Sequence, residues 1–184
     1  MAVLRTKYFG KIVFDGTKDC DIVSVKYNKN DLNIGLPNCF INDKDKIKKC
    51  IEIMDKYLEL NEIAKKAIIS NSYENSIVQG YFQYHFDSTH YKNDKVFKIF
   101  GTTIFEDINI NNIIEKMECP DLMFQTGEND DGYDDENKIT FWLNYIVSRE
   151  YSNETLCVRM DKDFNVLEIN HFNYKKNGIR SNGT

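Results

Sequence analysis

Residues 127–138, GENDDGYDDENK, place six carboxylates around Gly132 and Tyr133. Such a run can hold a hard cation, attract a basic surface, or simply face water. An EF-hand calcium loop needs oxygens at alternate positions of about twelve residues, with Gly sixth and Glu last. A loop opening at Asp130 would need that glycine where Asp135 stands, and one opening at Asp131 would need it where Glu136 stands. With Gly132 sixth, the loop opens on Gly127 and closes on Lys138, neither of them a carboxylate. No metal site and no cofactor is therefore assigned. Adjacent carboxylates cannot be buried unpaired, because each isolated charge would cost several kcal/mol or neutralise by shifting its pKa. The segment 127–137 is expected to be an exposed connection into a strand near Ile139. Glu128, Asp130, Asp131, Tyr133, Asp134, Asp135 and Glu136 form the candidate partner-binding set. The carboxylates would draw in a basic protein, and the tyrosine ring would serve as a low-entropy anchor.

Other residues with chemical potential point less clearly to a site. Asp161, Asp163 and Asn165 in DKDFN alternate like metal ligands, but Val166 stands where the glycine belongs, so a hairpin turn is expected. His85 and His90 are five residues apart, about 140° around a helix, and could meet a metal with Asp87 only if a helix ended between them. His171 is expected on the apolar face of the last strand. No GxSxG elbow, GxGxxG or GxxxxGK[ST] occurs, and no cysteine sits in a recognisable catalytic setting. No catalytic residue is assigned. The alternative to a binding protein is an enzyme or metal-binding protein that uses carboxylates and His85.

Composition narrows the classes. Asp and Glu number 29 against 24 Lys and Arg, a net charge of −5 that disfavours nucleic acid as a partner. No apolar run approaches the roughly 18 residues of a membrane span, and MAVLRTKYFGKIVF lacks a signal-peptide core. The five cysteines are scattered and never paired as CxxC, so they are expected to be reduced, mostly buried thiols in a cytoplasmic protein. Nothing in the sequence sets the oligomeric state.

The elements that must position these groups read as strands, then helices, then strands. Strand composition at 8–14, with the alternating runs 21–28 and 31–38, predicts an N-terminal antiparallel meander. A helix capped by Asn42 or Asp43 is expected through residue 60, a second over 61–70, and a third over 76–87 with Ile77, Tyr81 and Tyr84 on one side. Residues 88–106 hold at most a short strand, and 110–117 read as a helix ending before Pro120. Strands follow at 139–149, 155–160 and 165–172. The expectation is an α+β fold with a mainly antiparallel sheet, built from the meander and C-terminal hairpin strands, and helices on one face. One domain would span 1–174, followed by a flexible polar tail over 175–184.

Three stretches carry a resemblance. YFGKIVFD (8–15), the strands ending in DLNIGLP, and IEIMDKYLELNEIAKKAIIS (51–70) resemble the opening of an uncharacterised bacterial family, domain of unknown function two-thousand-and-four. Leu60, Glu62, Ala64 and Lys65 look like its helical signature, and Tyr81 with His85 looks like the close of its next helix. FWLNYIVSREYSNETLCVRMDKDFNVLEINHF is similar to its final hairpin. The family has no established reaction, so the resemblance transfers no catalytic residue. It implies a binding role, of the kind that small acidic immunity proteins play against toxins.

Overall fold

The computed structural model describes residues 1–117, 119–128, 132 and 134–173. The tail predicted at 175–184 lies outside the described residues. Four strands come first: β1 Ala2–Thr6, β2 Gly10–Phe14, β3 Cys20–Tyr27 and β4 Asn30–Pro37. Six helices follow: α1 Asn38–Ile41, α2 Lys44–Met54, α3 Tyr57–Ser70, α4 Ile77–His90, α5 Asn93–Phe100 and α6 Ile110–Lys116. The chain closes with β5 Asp121–Glu128, β6 Asp134–Tyr145, β7 Glu154–Asp161 and β8 Val166–Asn173. This is the α+β fold that the order of elements predicts.

Six strands form one sheet in chain order, β3-β4-β5-β6-β7-β8, and β1 pairs only with β2 in a separate two-stranded sheet. The expected three-stranded meander is therefore two hairpins. Gly16, at φ 73°, donates its N–H to the Asp21 carboxylate and turns the chain away before β3 begins. All pairings in the larger sheet are antiparallel except β4 with β5, where Ile34 faces Leu122 and Gly35 faces Met123. Parallel neighbours need a long crossover, and the whole helical region supplies it.

One sheet face is apolar by simple alternation. Leu32, Ile34 and Leu36 of β4, Leu122 and Phe124 of β5, Phe141, Leu143 and Tyr145 of β6, and Leu156, Val158 and Met160 of β7 are all buried in one core with the helices. Each such side chain contributes about 1.5–3 kcal/mol relative to exposure. The inward residues predicted for β6 and β7 occupy that face, whereas Leu167, expected on one face with Ile169 and His171, is half exposed at a bulge in β8. Strand β5 has no counterpart in the expected elements.

The helices differ from expectation at their ends. Asp43 caps α2, accepting the N–H groups of Asp45 (3.0 Å) and Lys46 (3.1 Å), and these bonds hold its carboxyl below the usual range. The helix predicted through residue 60 breaks at Asp55–Lys56, where the Asp55 carboxylate accepts the Lys7 N–H at 2.6 Å and ties the first hairpin to the helix end. Ser76 caps α4, which buries Val78, Tyr81, Phe82, His85, Phe86 and Thr89. Ile77 and Tyr84, expected on one side with Tyr81, are exposed while Tyr81 is buried. Region 93–100 is helix α5 rather than strand. Val96 and Phe100, one helical turn apart, are its buried pair, and Gly101 in the left-handed region ends it.

Of the cysteines, Cys50 and Cys157 are buried, Cys119 is half-buried, and Cys20 and Cys39 are exposed. Burial pushes the Cys50 and Cys157 thiols far above the ordinary value. Iodoacetamide under native conditions is expected to modify Cys20 and Cys39 while sparing Cys50 and Cys157, because only an accessible thiolate reacts. Peptide mapping that finds Cys157 labelled as fast as Cys39 would contradict this placement.

Candidate functional site: the open face of the sheet

The helices leave the second face of the sheet uncovered, and its residues lie outside the main core. Register places them in rows. Ile22, Gly35, Met123, Trp142, Arg159 and Glu168 stand abreast across all six strands. Asn33, Asp121, Asn144, Cys157 and Asn170 form the neighbouring row, with Asn33 beside Asp121 by hydrogen bond.

At the centre, the rings of Trp142 and Phe172 meet edge to face at 5.6 Å and bury Cys157 beneath the groove floor. Trp142 donates its Nε1–H to Gln125 Oε1 at 2.6 Å, which fixes the indole plane. The Arg159 guanidinium lies over the indole, 5.7 Å from the ring centroid. It reaches Glu168 at 3.0 Å and Glu128 at 3.5 Å. Its Nε is buried and has no hydrogen-bond partner among the described residues. Gly35 makes room on the other side: a Cβ there would stand 2.5 Å from Met123 Sδ, so only glycine lets that thioether lie across β4.

Three adjoining cavities run along this face. The central one, about 440 Å³, is lined by Ile22, Met123, Trp142, Arg159 and Phe172 among others. It shares Glu128 and Arg159 with a cavity of about 520 Å³ toward the β7–β8 turn. It shares Ile22, Met123 and Asn144 with one of about 330 Å³ at the opposite end. There Asp121, buried, accepts from Asn33 N (2.7 Å) and pairs with Arg149 at 3.0 Å. The arrangement offers an apolar trough over the largely buried Trp142 and Cys157, with exposed Cys20 on its wall and charged groups at both ends.

Of the acidic run, Glu128 joins this groove. Strand β6 starts at Asp134, not near Ile139, and Gly127 and Glu128 pair with Asp135 and Asp134 across a bulge at Thr126–Gly127. The expected loose connection is thus the arm of the β5–β6 hairpin. Lys138 donates to the Glu128 carbonyl at 2.9 Å and steadies the arm. Glu128 lines two of the cavities. Asp135 turns its carboxylate back to the Asn137 N–H at 2.9 Å. Asp134 and Glu136 belong to β6 by backbone, and Asp130, Asp131 and Tyr133 lie outside the described residues. Trp142, Arg159 and Phe172 were missed by sequence reasoning. The signal was a tryptophan on the supposedly solvated side of an alternating strand.

The remaining candidates are structural in their surroundings. Asp161 accepts from Asp163 N, Asn165 N and Asn165 Nδ2 within its own hairpin turn. Burial pushes its carboxyl up, but these bonds prevail and hold it below the usual range. Helix α4 runs unbroken to His90, so buried His85 and exposed His90 do not meet. His85 instead packs against Tyr81, which also touches His171. Glu154 Oε2 lies 2.7 Å from His171 Nε2. Among the described residues no three His, Cys, Asp or Glu converge on a metal position, and no helix is long and apolar enough to cross a membrane.

No family model, curated protein or solved structure matches the chain.

Proposed function

We propose that this chain is a non-enzymatic protein-binding domain that seats a basic protein on the open face of its sheet, as a toxin-neutralising immunity or regulatory protein would. The observation that carries the reading is the helix-free trough of Met123, Trp142 and Phe172, bordered by the carboxylates of Glu128 and Glu168. Buried aromatic anchors ringed by charge are what concentrate binding energy in protein interfaces. The acidic β5–β6 arm beside the trough would steer a basic partner toward it, and the chain's net charge of −5 acts in the same direction. The resemblance noted in the sequence implies at most a binding role, which is in line with this reading.

The test uses a basic, toxin-like protein encoded beside this one, with binding followed by surface plasmon resonance. Ile22→Lys, at a largely exposed position, and Trp142→Ala should each weaken binding about tenfold or more, roughly 1.4 kcal/mol. Replacing Asp130, Asp131, Asp134 and Asp135 together with Asn should slow association most at low salt, because screening over about 8 Å at physiological ionic strength removes long-range attraction. Wild-type affinity in both trough variants would rule out the open face. An unchanged low-salt association rate in the quadruple variant would make the acidic arm inert.

A further inference from the structure

The sheet ends at β8, which has no strand partner on its outer side among the described residues. Monomeric proteins blunt such edges with lysine, proline, a bulge or a covering element, and of these β8 carries only the bulge among the described residues. The opposite edge, β3, carries Lys26 and has the first hairpin packed beside it. VLEINHFN, the sequence of β8, contains no Lys, Arg or Pro. Its one irregularity is a bulge: Arg159 faces Glu168 and Met160 faces Val166, so Leu167 is the extra residue. A bulge re-aims a side chain, and Leu167 is 50% exposed.

Beside this edge lies a cavity of about 320 Å³ lined by four consecutive residues, Val166 to Ile169, together with Tyr73 and Ile77. Alternate residues of a strand point to opposite faces, so consecutive lining means that the cavity abuts the strand's backbone edge. The exposed residues of α4 extend the strip. Ile77 is 50% and Tyr84 46% exposed, and the Tyr84 ring stands 6.0 Å from that of His171. The edge thus combines an unpaired strand with flanking apolar side chains from a helix that runs alongside it.

We propose that β8 pairs antiparallel with β8 of a second copy, joining two six-stranded sheets about a twofold axis. The strip suits itself. Its only carboxylate on the strand, Glu168, is held by Arg159 of the same chain. With Asn170 on the axis, Glu168 faces Phe172 of the second copy and Ile169 faces His171, so no like charges meet. The Tyr84 rings gather near the axis, and Leu167 and Ile77 close the flanks. A twofold contact is isologous and saturates at two copies. It leaves the central trough at Trp142 free; Leu167 also lines the cavity toward the β7–β8 turn, so Ile22→Lys is the variant that separates this contact from the proposed function.

Sedimentation velocity of the full chain from about 5 to about 500 µM should show the 21.6 kDa monomer giving way to twice that mass, since association follows mass action. Leu167→Lys and Ile77→Lys, both at exposed positions, should keep the wild-type melting temperature and remain monomeric throughout. Ile22→Lys on the open face should dimerise as wild type does. Amide exchange should slow with concentration over Glu168–Phe172. A wild-type chain that stays monomeric overturns the proposal. So does a dimer that survives Leu167→Lys, or one that Ile22→Lys abolishes.

Discussion

Tyr81→Phe is expected to lower the unfolding free energy by about 2–4 kcal/mol, although it removes a single oxygen. Tyr81 lies fully buried on α4, where it meets the ends of β6 and β7. Its hydroxyl accepts the Val147 N–H at 3.0 Å and shares its own hydrogen between the carbonyls of Tyr145 (3.2 Å) and Glu154 (3.4 Å). These backbone groups leave the sheet just where its pairing ends, so the tyrosine replaces the partners that the ladder no longer supplies. Phenylalanine fills the space but leaves a buried N–H and carbonyl unpaired, and desolvating them without a partner dominates the loss. Urea unfolding at pH 7 measures the difference. Tyr84→Phe, at an exposed position on the same helix, serves as control and should change stability by less than about 0.5 kcal/mol. A Tyr81→Phe protein within that margin would show that the hydroxyl network carries no weight.

The second large effect is acid sensitivity from His85. Its Nδ1–H donates to the Tyr81 carbonyl at 2.8 Å, so the neutral ring keeps a bare Nε2, buried without a partner. Burial, above all, pushes its pKa down to about 4; the bond to Tyr81 opposes this, and the nearby His171 adds to it. The unfolded chain takes up a proton near pH 6.5, and the folded chain refuses it until about pH 4. The stabilisation is therefore complete above about pH 6.5, falls as the pH drops, and is gone near pH 4. The full loss is about 3 kcal/mol. Asp43 and Asp161, with lowered carboxyl pKa values, lose their contributions only at still lower pH, below the ordinary carboxylate range. The window from pH 7 to pH 5 thus isolates the histidine. His85→Phe should flatten most of the decline in urea midpoint over that window. An equally steep decline in the variant would place the acid-sensitive group elsewhere.

Alternation in TFWLNY and TLCVRM was enough to send Phe141, Leu143, Tyr145, Leu156, Val158 and Met160 inward, because side-chain direction in a strand repeats every two residues whatever the neighbours are. The cap at Asp43, one of two candidates, and the hairpin turn at Asp161–Asn165 were legible too, since their hydrogen bonds close within a few residues. Helix α5 was not legible. Eight residues are too few for periodicity to speak, and packing of Val96 and Phe100 decides the matter. Strand β5 was also missed, since the parallel neighbour that gives it a place in the sheet lies across the entire helical region.

The sequence by itself determined the α+β class, the inward faces of β6 and β7, and the need for the acidic run to face solvent or a basic surface. Charge and local periodicity are properties of the chain before it folds. Only the tertiary structure decided that Ile22, Met123, Trp142 and Arg159 stand in one row, with Glu128 at its rim. It also decided that β8 is the last strand of the sheet among the described residues. Strand order joins residues more than a hundred positions apart, and nothing in the local pattern of Ile22 carries information about Trp142. That pairing is set by which long-range closure buries the most apolar surface, a quantity that exists only once the helices have covered one face and left the other open.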